Sequence, residues 1–149
     1  MRKLTRRTEA VVRLDALRHN IRNIQARLDK GCRMMAVLKG DGYGHGLQQI
    51  FPTLKAAGIA DFAVAIWEEG VALRQAGCTD PILILGHAPS SAFELMIKEN
   101  IRPTIFRRES AEALSKAAVK LGKTAKFHFA VDTGMSRLGF QVTEEDADT

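Results

Sequence analysis

Lys39 is the residue of this chain most able to do covalent chemistry. It ends an apolar run, Met34 to Leu38, and opens a loop in which Gly40, Gly42, Gly44 and Gly46 alternate with Asp41, Tyr43 and His45. The run predicts a short strand buried on both faces. Such a strand excludes charge, so the lysine is expected where the strand leaves the sheet, with its stem in apolar surroundings and its amine facing a cleft. Desolvation there disfavours the ammonium form and leaves an amine able to attack a carbonyl, which is what a Schiff-base lysine requires. The glycines allow positive φ and a close backbone approach to a ligand. A solvated turn lysine has the same local pattern, so spacing alone leaves both readings open.

The elements that must position this loop alternate in type. Glu9 to Leu14 reads as a strand and Asp15 as the N-cap of a helix whose face is Leu17, Ile21, Ile24 and Leu28, running to Gly31. After the Lys39 strand comes a helix with Leu47, Ile50, Phe51 and Leu54 on one face, stopped by Gly58; Pro52 is expected to start or kink it. Asp61 to Ile66 is a second buried strand, followed by a helix from Trp67 to Gly77 and a third strand, Ile82 to Leu85. Ser91 and Glu94 form a capping box for a helix through Asn100, and Arg102 to Phe106 is a fourth strand. Leu114, Ala117, Ala118 and Leu121 give a helical face ending at Gly122. A fifth strand, Ala125 to Val131, delivers Asp132 and the loop through Gly139. Thr143 and Asp146 read as the start of one more helix.

Alternating strands and helices with short connections imply an α/β fold with a parallel sheet and right-handed crossovers. Two arrangements fit: an open doubly wound sheet, or about the first five βα units of a TIM (β/α)8 barrel. Both ligand-like loops follow strand C-termini and neither has the glycine pattern of a dinucleotide-binding turn, which favours the barrel. No linker or composition shift divides residues 1–149, so they are read as one truncated domain. A barrel takes about 250 residues, and the chain is therefore expected to be a fragment or a truncated gene product, with an unpaired edge strand that invites self-association.

Composition sets the outer bounds. With 149 residues, 46% hydrophobic and 26% charged, the chain suits one ordinary globular domain. The net charge of +5 owes much to Arg2, Lys3, Arg6 and Arg7. These lack interleaved aromatics and read as a solvated tail, with no nucleic-acid partner. Cys32 and Cys78 are too few for a disulfide framework, and His87 and His128 lack partners at metal-ligand spacing, so no metal is expected. The absence of an apolar h-region or a membrane-length run argues against export and membrane anchoring, and a cytoplasmic setting is expected. His45, Leu85 and Met135 are assigned no chemistry; Leu85 reads as a core leucine and Met135 as packing.

Three stretches resemble the alanine racemases. AVLKGDGYGHG (Ala36 to Gly46) is similar to that family's lysine signature, VDTGMSRLG (Val131 to Gly139) to its arginine motif, and RLDALRHNIRNI (Arg13 to Ile24) to its opening segment. The matches run from about Glu9 to Phe140 and reach only the first part of the family's length. The resemblance implies a TIM-barrel domain followed by a β domain, with pyridoxal 5'-phosphate (PLP) as cofactor. It implies that Lys39 holds PLP and moves the substrate α-proton, that Tyr43 binds the PLP phosphate, and that Arg137 takes part in binding the substrate carboxylate. It further implies an alanine substrate, supply of D-alanine for peptidoglycan, and a homodimer in the full-length protein.

Two departures qualify what is implied. Many members carry a lysine two positions before the aspartate of the arginine motif, and this chain has Ala130 there. Arg137 would then need another anion or a water to hold it, and a racemase of broader range, acting on serine or lysine, becomes the alternative. The family's second acid–base residue, a tyrosine, belongs to the β domain, so the fragment alone is expected to be inactive or nearly so. A non-catalytic PLP-binding module is the remaining reading.

Overall fold

A computed structural model describes residues 8–141. The basic cluster at Arg2 to Arg7 and the helix start at Thr143 and Asp146 lie outside the described residues.

The first element is a helix, α1 (Leu14–Gln25). Residues 8–13 form no strand, because no neighbouring strand is there to supply a ladder; Glu9, Ala10 and Val11 are exposed. Arg13, not Asp15, stands at the N-cap position. Asp15 accepts a hydrogen bond from Arg13 at 2.8 Å, and this bond holds its carboxyl below the usual carboxylate range. The helix ends six residues before Gly31, where Arg27 and Leu28 donate to Ile24 and Gln25 and tighten the last turn. Ile21 is the buried residue of its apolar stripe.

The strand before Lys39 is β1 (Met35–Val37), and it is not buried on both faces. It is the edge of the described sheet, pairing only with β2 (Asp61–Val64), so Met35 and Val37 stay about two-fifths exposed while Leu38 is buried. Between them lie a single turn, α2 (Lys39–Tyr43), and α3 (Leu47–Ala56), whose predicted face is buried. Helix α3 passes through Pro52. That is tolerated because Pro52 and Gln48, the carbonyl it leaves unpaired, are both exposed to water.

Strand β2 is buried throughout and is followed by α4 (Trp67–Gln75) and β3 (Ile82–Ile84). A short turn, Ser90–Ala92, leads into α5 (Phe93–Lys98), and the predicted capping box does not form. Glu94 instead accepts from Lys120 of α6 (Arg108–Leu121), which also draws its carboxyl downward. The predicted fourth strand is split by Pro103 into β4 (Ile101–Arg102) and β5 (Thr104–Ile105). The predicted fifth is shorter than expected and divides into β6 (His128–Phe129) and β7 (Val131–Asp132); β7 pairs with β8 (Phe140–Gln141).

All of these pairings are parallel. Strands β1 to β4 form one sheet in chain order, and β5 pairs with β6 on the far side of Pro103. The order lacks the reversal that marks the switch point of a doubly wound sheet. The core lies between sheet and helices: Phe62, Val64, Ile82, Ile84, Leu73, Phe93 and Met96 are almost wholly buried. Arg74 binds α4 to the strand ends beside it, donating to the carbonyl oxygens of Cys78, Asp80, Glu99 and Asn100 at 2.7 to 2.9 Å. Cys32 is exposed and Cys78 buried, both as free thiols, and burial pushes the Cys78 thiol up.

Candidate active site

The Lys39 loop is a left-handed helical turn. Gly40 (φ 61, ψ 45), Asp41 (φ 53, ψ 47) and Gly42 (φ 63, ψ 40) share one conformation, and Tyr43 (φ 54) and Gly44 (φ 77) continue it. Gly42 donates to Leu38 at 2.8 Å and Gly44 to Gly40 at 2.9 Å, closing helical rings of the opposite hand. An L-residue in this region costs roughly 1–2 kcal/mol. Alternating glycines confine that strain to Asp41 and Tyr43.

Two carboxylates hold the turn. At its start Gly40 donates to Glu69 Oε1 at 2.6 Å, while Glu69 Oε2 accepts from Ala65 at 2.8 Å and Ile66 at 3.3 Å. After its end Leu47, the first residue of α3, donates to Asp41 Oδ1 at 2.7 Å. His45 adds an Nδ1 contact to the Gly42 carbonyl at 2.9 Å, so its role is to shape the loop. Glu69 escaped the sequence reading. Its signal is positional: it is the third helical residue after Ile66, the place from which an acid reaches back over a strand–helix junction.

Lys39 is half-buried and Tyr43 is 63% exposed. The lysine Nζ lies 5.9 Å from the centre of the Tyr43 ring, so these two predicted residues meet. Among the described residues Lys39 makes no ion pair, which leaves its amine uncommitted.

Arg137 lies on a second loop, after β7. Its loop hangs on Asp132, whose Oδ1 accepts the amides of Gly134 and Ser136 at 2.9 Å each; these bonds hold the Asp132 carboxyl below its usual range. Gly139 closes the loop so tightly that a Cβ there would lie 2.5 Å from the Asp132 nitrogen. Arg137 is exposed and lines a polar cavity of about 220 Å³ with Phe106, Arg107 and Asp132, to which neither Lys39 nor Tyr43 contributes. It makes no ion pair among the described residues, and Ala130 spends its backbone groups on Ile105 and Phe140.

Leu85 and Met135 differ from their sequence reading. Leu85 is 37% exposed at the rim and not in the core, because the chain leaves the sheet there. Met135 is 76% exposed and is not a packing residue, since it lies in the exposed run 133–137. His87 and His128 are exposed, His87 edge-on to Phe106 at 5.9 Å. No group of three metal-ligating side chains occurs among the described residues.

Fold and site together define an α/β protein with parallel strands whose polar loops, one carrying an uncommitted lysine, follow strand C-termini. Residues 12–149 match the family model for the alanine racemase N-terminal domain, and the chain belongs to that family. It is 45% identical to an alanine racemase of Desulfovibrio desulfuricans over 93% of this chain and 37% of that protein. It is 43% identical to one of Clostridium novyi over 91% of this chain and 35% of that protein. Among solved structures it is similar to the alanine racemase of Clostridium difficile 630, with a TM-score of 0.87 and 41% identity over 91% of this chain and 36% of that one. A histidine racemase from Leuconostoc mesenteroides gives a TM-score of 0.83 at 31% identity, covering 90% of this chain and 36% of that one. The chain thus spans a little over a third of the length of the curated relatives it matches.

Proposed function

We propose that this chain is the N-terminal part of a PLP-dependent racemase that interconverts L- and D-alanine. Residues 1–149 are the opening portion of the cofactor-binding domain. Strands running in chain order without reversal support a segment of barrel wall. Membership of the family supports the reaction, and the observation that carries the site is the meeting of Lys39 and Tyr43 on one strained turn at a strand end.

The residues present fit PLP. An uncommitted amine suits its aldehyde, and a largely exposed phenol suits its phosphate. Bound PLP supplies an electron sink for the bond broken at the substrate α-carbon. Lys39 would hold the cofactor through its amine and then move the α-proton on one face. The Tyr43 hydroxyl would donate to a phosphate oxygen. The Arg137 guanidinium, a planar fork of donors, would orient the substrate carboxylate.

Activity is proposed for the full-length protein, as a homodimer in the cytoplasm that supplies D-alanine to peptidoglycan; the 149-residue chain alone is proposed to turn over little or none. No helix among the described residues is long and apolar enough to cross a membrane. The test is to titrate the chain with PLP, reduce with borohydride and map the adduct. A yellow band and a label on the peptide holding Lys39, both lost in Lys39→Ala, are expected; a label elsewhere, or none, overturns the reading. Racemisation of alanine, serine, lysine and histidine by the full-length protein then fixes the substrate.

A further inference from the structure

Glu69 makes three amide contacts, and they do not all serve one element. Its Oε2 atom accepts from Ala65 and Ile66, the residues just before its own helix, as a helix-start glutamate does. Its Oε1 atom does something else. It takes the Gly40 amide, 29 residues earlier in the chain, at 2.6 Å, the shortest of the three. Gly40 is the first residue after Lys39 and the first of the left-handed run. The carboxylate therefore bridges two adjacent strand ends and fixes the backbone at the point where the lysine departs from β1.

We propose that Glu69 is a positioning residue for Lys39, setting the direction of its side chain by anchoring the strained turn. The inference rests on the reading of Lys39 as the cofactor lysine. A turn that costs conformational strain keeps its shape only where its surroundings over-determine it. Glu69 is the group that does so at the Lys39 end, as Asp41 does at the α3 end. Both carboxylate oxygens are engaged, so an amide cannot replace the acid: with its oxygen on Ala65 and Ile66, a glutamine would present its NH2 to the Gly40 N–H. A residue that merely starts a helix tolerates that exchange, because glutamine serves there as well as glutamate.

The experiment compares Glu69→Gln with the natural chain and with Glu68→Gln, a neighbouring exposed glutamate, as control. Three readouts are taken: the Kd for PLP, the rate of borohydride-trapped labelling of Lys39, and hydrogen exchange at the Gly40 amide in the PLP-free chain. Glu69→Gln is expected to weaken PLP binding about tenfold and to speed Gly40 exchange by a similar factor, the worth of one charge-assisted hydrogen bond. Glu68→Gln is expected to change neither. If Glu69→Gln fails to fold, Glu69→Asp, which keeps the charge but draws it back one methylene from Gly40, is expected to show the same two losses. Wild-type labelling and exchange in the glutamate variants overturn the inference while leaving the function standing. Failure of the natural chain to label at Lys39 overturns both.

Discussion

The two strand-end loops of this molecule are built in opposite ways. The Lys39 turn is anchored from outside itself: Glu69 reaches it from α4, Asp41 fastens it to α3, and Gly42 is buried against Ile50. The Arg137 loop is anchored from within, by one aspartate gathering two amides of its own segment, and residues 133–137 are exposed. A turn tied to neighbouring elements cannot change shape without disturbing them, whereas a self-contained loop can open at little cost to the rest of the fold.

Breaking the support beneath the first loop is expected to have the largest effect. Ile50→Ala removes a buried side chain in contact with Gly42 and should cost about 2–5 kcal/mol in denaturant unfolding. Gly42→Ala comes next. The far end of Ile50 can swing away from the added Cβ, so the cost is mainly that of a third L-residue at positive φ, roughly 1–2 kcal/mol by the same measurement.

The second loop should answer locally. Asp132→Ala is expected to disorder residues 133–136, seen as lost amide dispersion in NMR spectra, without shifting the global melting temperature. The same contact predicts a pH dependence. Hydrogen bonding lowers the Asp132 carboxyl in the folded state, so its contribution is present above the unfolded value and disappears as pH falls through the folded one. The Gly134 and Ser136 amide shifts should therefore titrate below the ordinary aspartate range; a midpoint at or above it would erase the contrast between the loops. Met135→Ser is expected to have the smallest effect, within about 0.5 kcal/mol, because that side chain is largely exposed.

How much of this was legible in the sequence depends on how local the cause is. Helices α3 and α6 carry their apolar faces and glycine stops within their own segments, and α4 and strands β2 and β3 lie within the segments expected of them. The exposure of β1 was not legible, because a strand's position at an edge is decided by its neighbours. Glu9 to Leu14 has the alternation of a strand but no partner, and Glu94 has the spacing of a cap but a better-placed lysine on α6. At the site, Lys39 and Tyr43 were found by the glycine loop and its family resemblance. The hand of the turn was not, since alternating glycines permit positive φ without requiring Asp41 and Tyr43 to follow. Glu69 was hidden because its partner lies 29 residues away.

Asp41 and Tyr43 occupy backbone positions that suit the mirror image of the amino acids that fill them. A D-residue installed at either position by chemical synthesis would sit in its own preferred well, relieving roughly 1–2 kcal/mol that the natural enantiomer must absorb. In a chain related to enzymes that invert an α-carbon, this short segment holds two of the four non-glycine positions, among the described residues, at which the polypeptide itself would accept the inverted configuration.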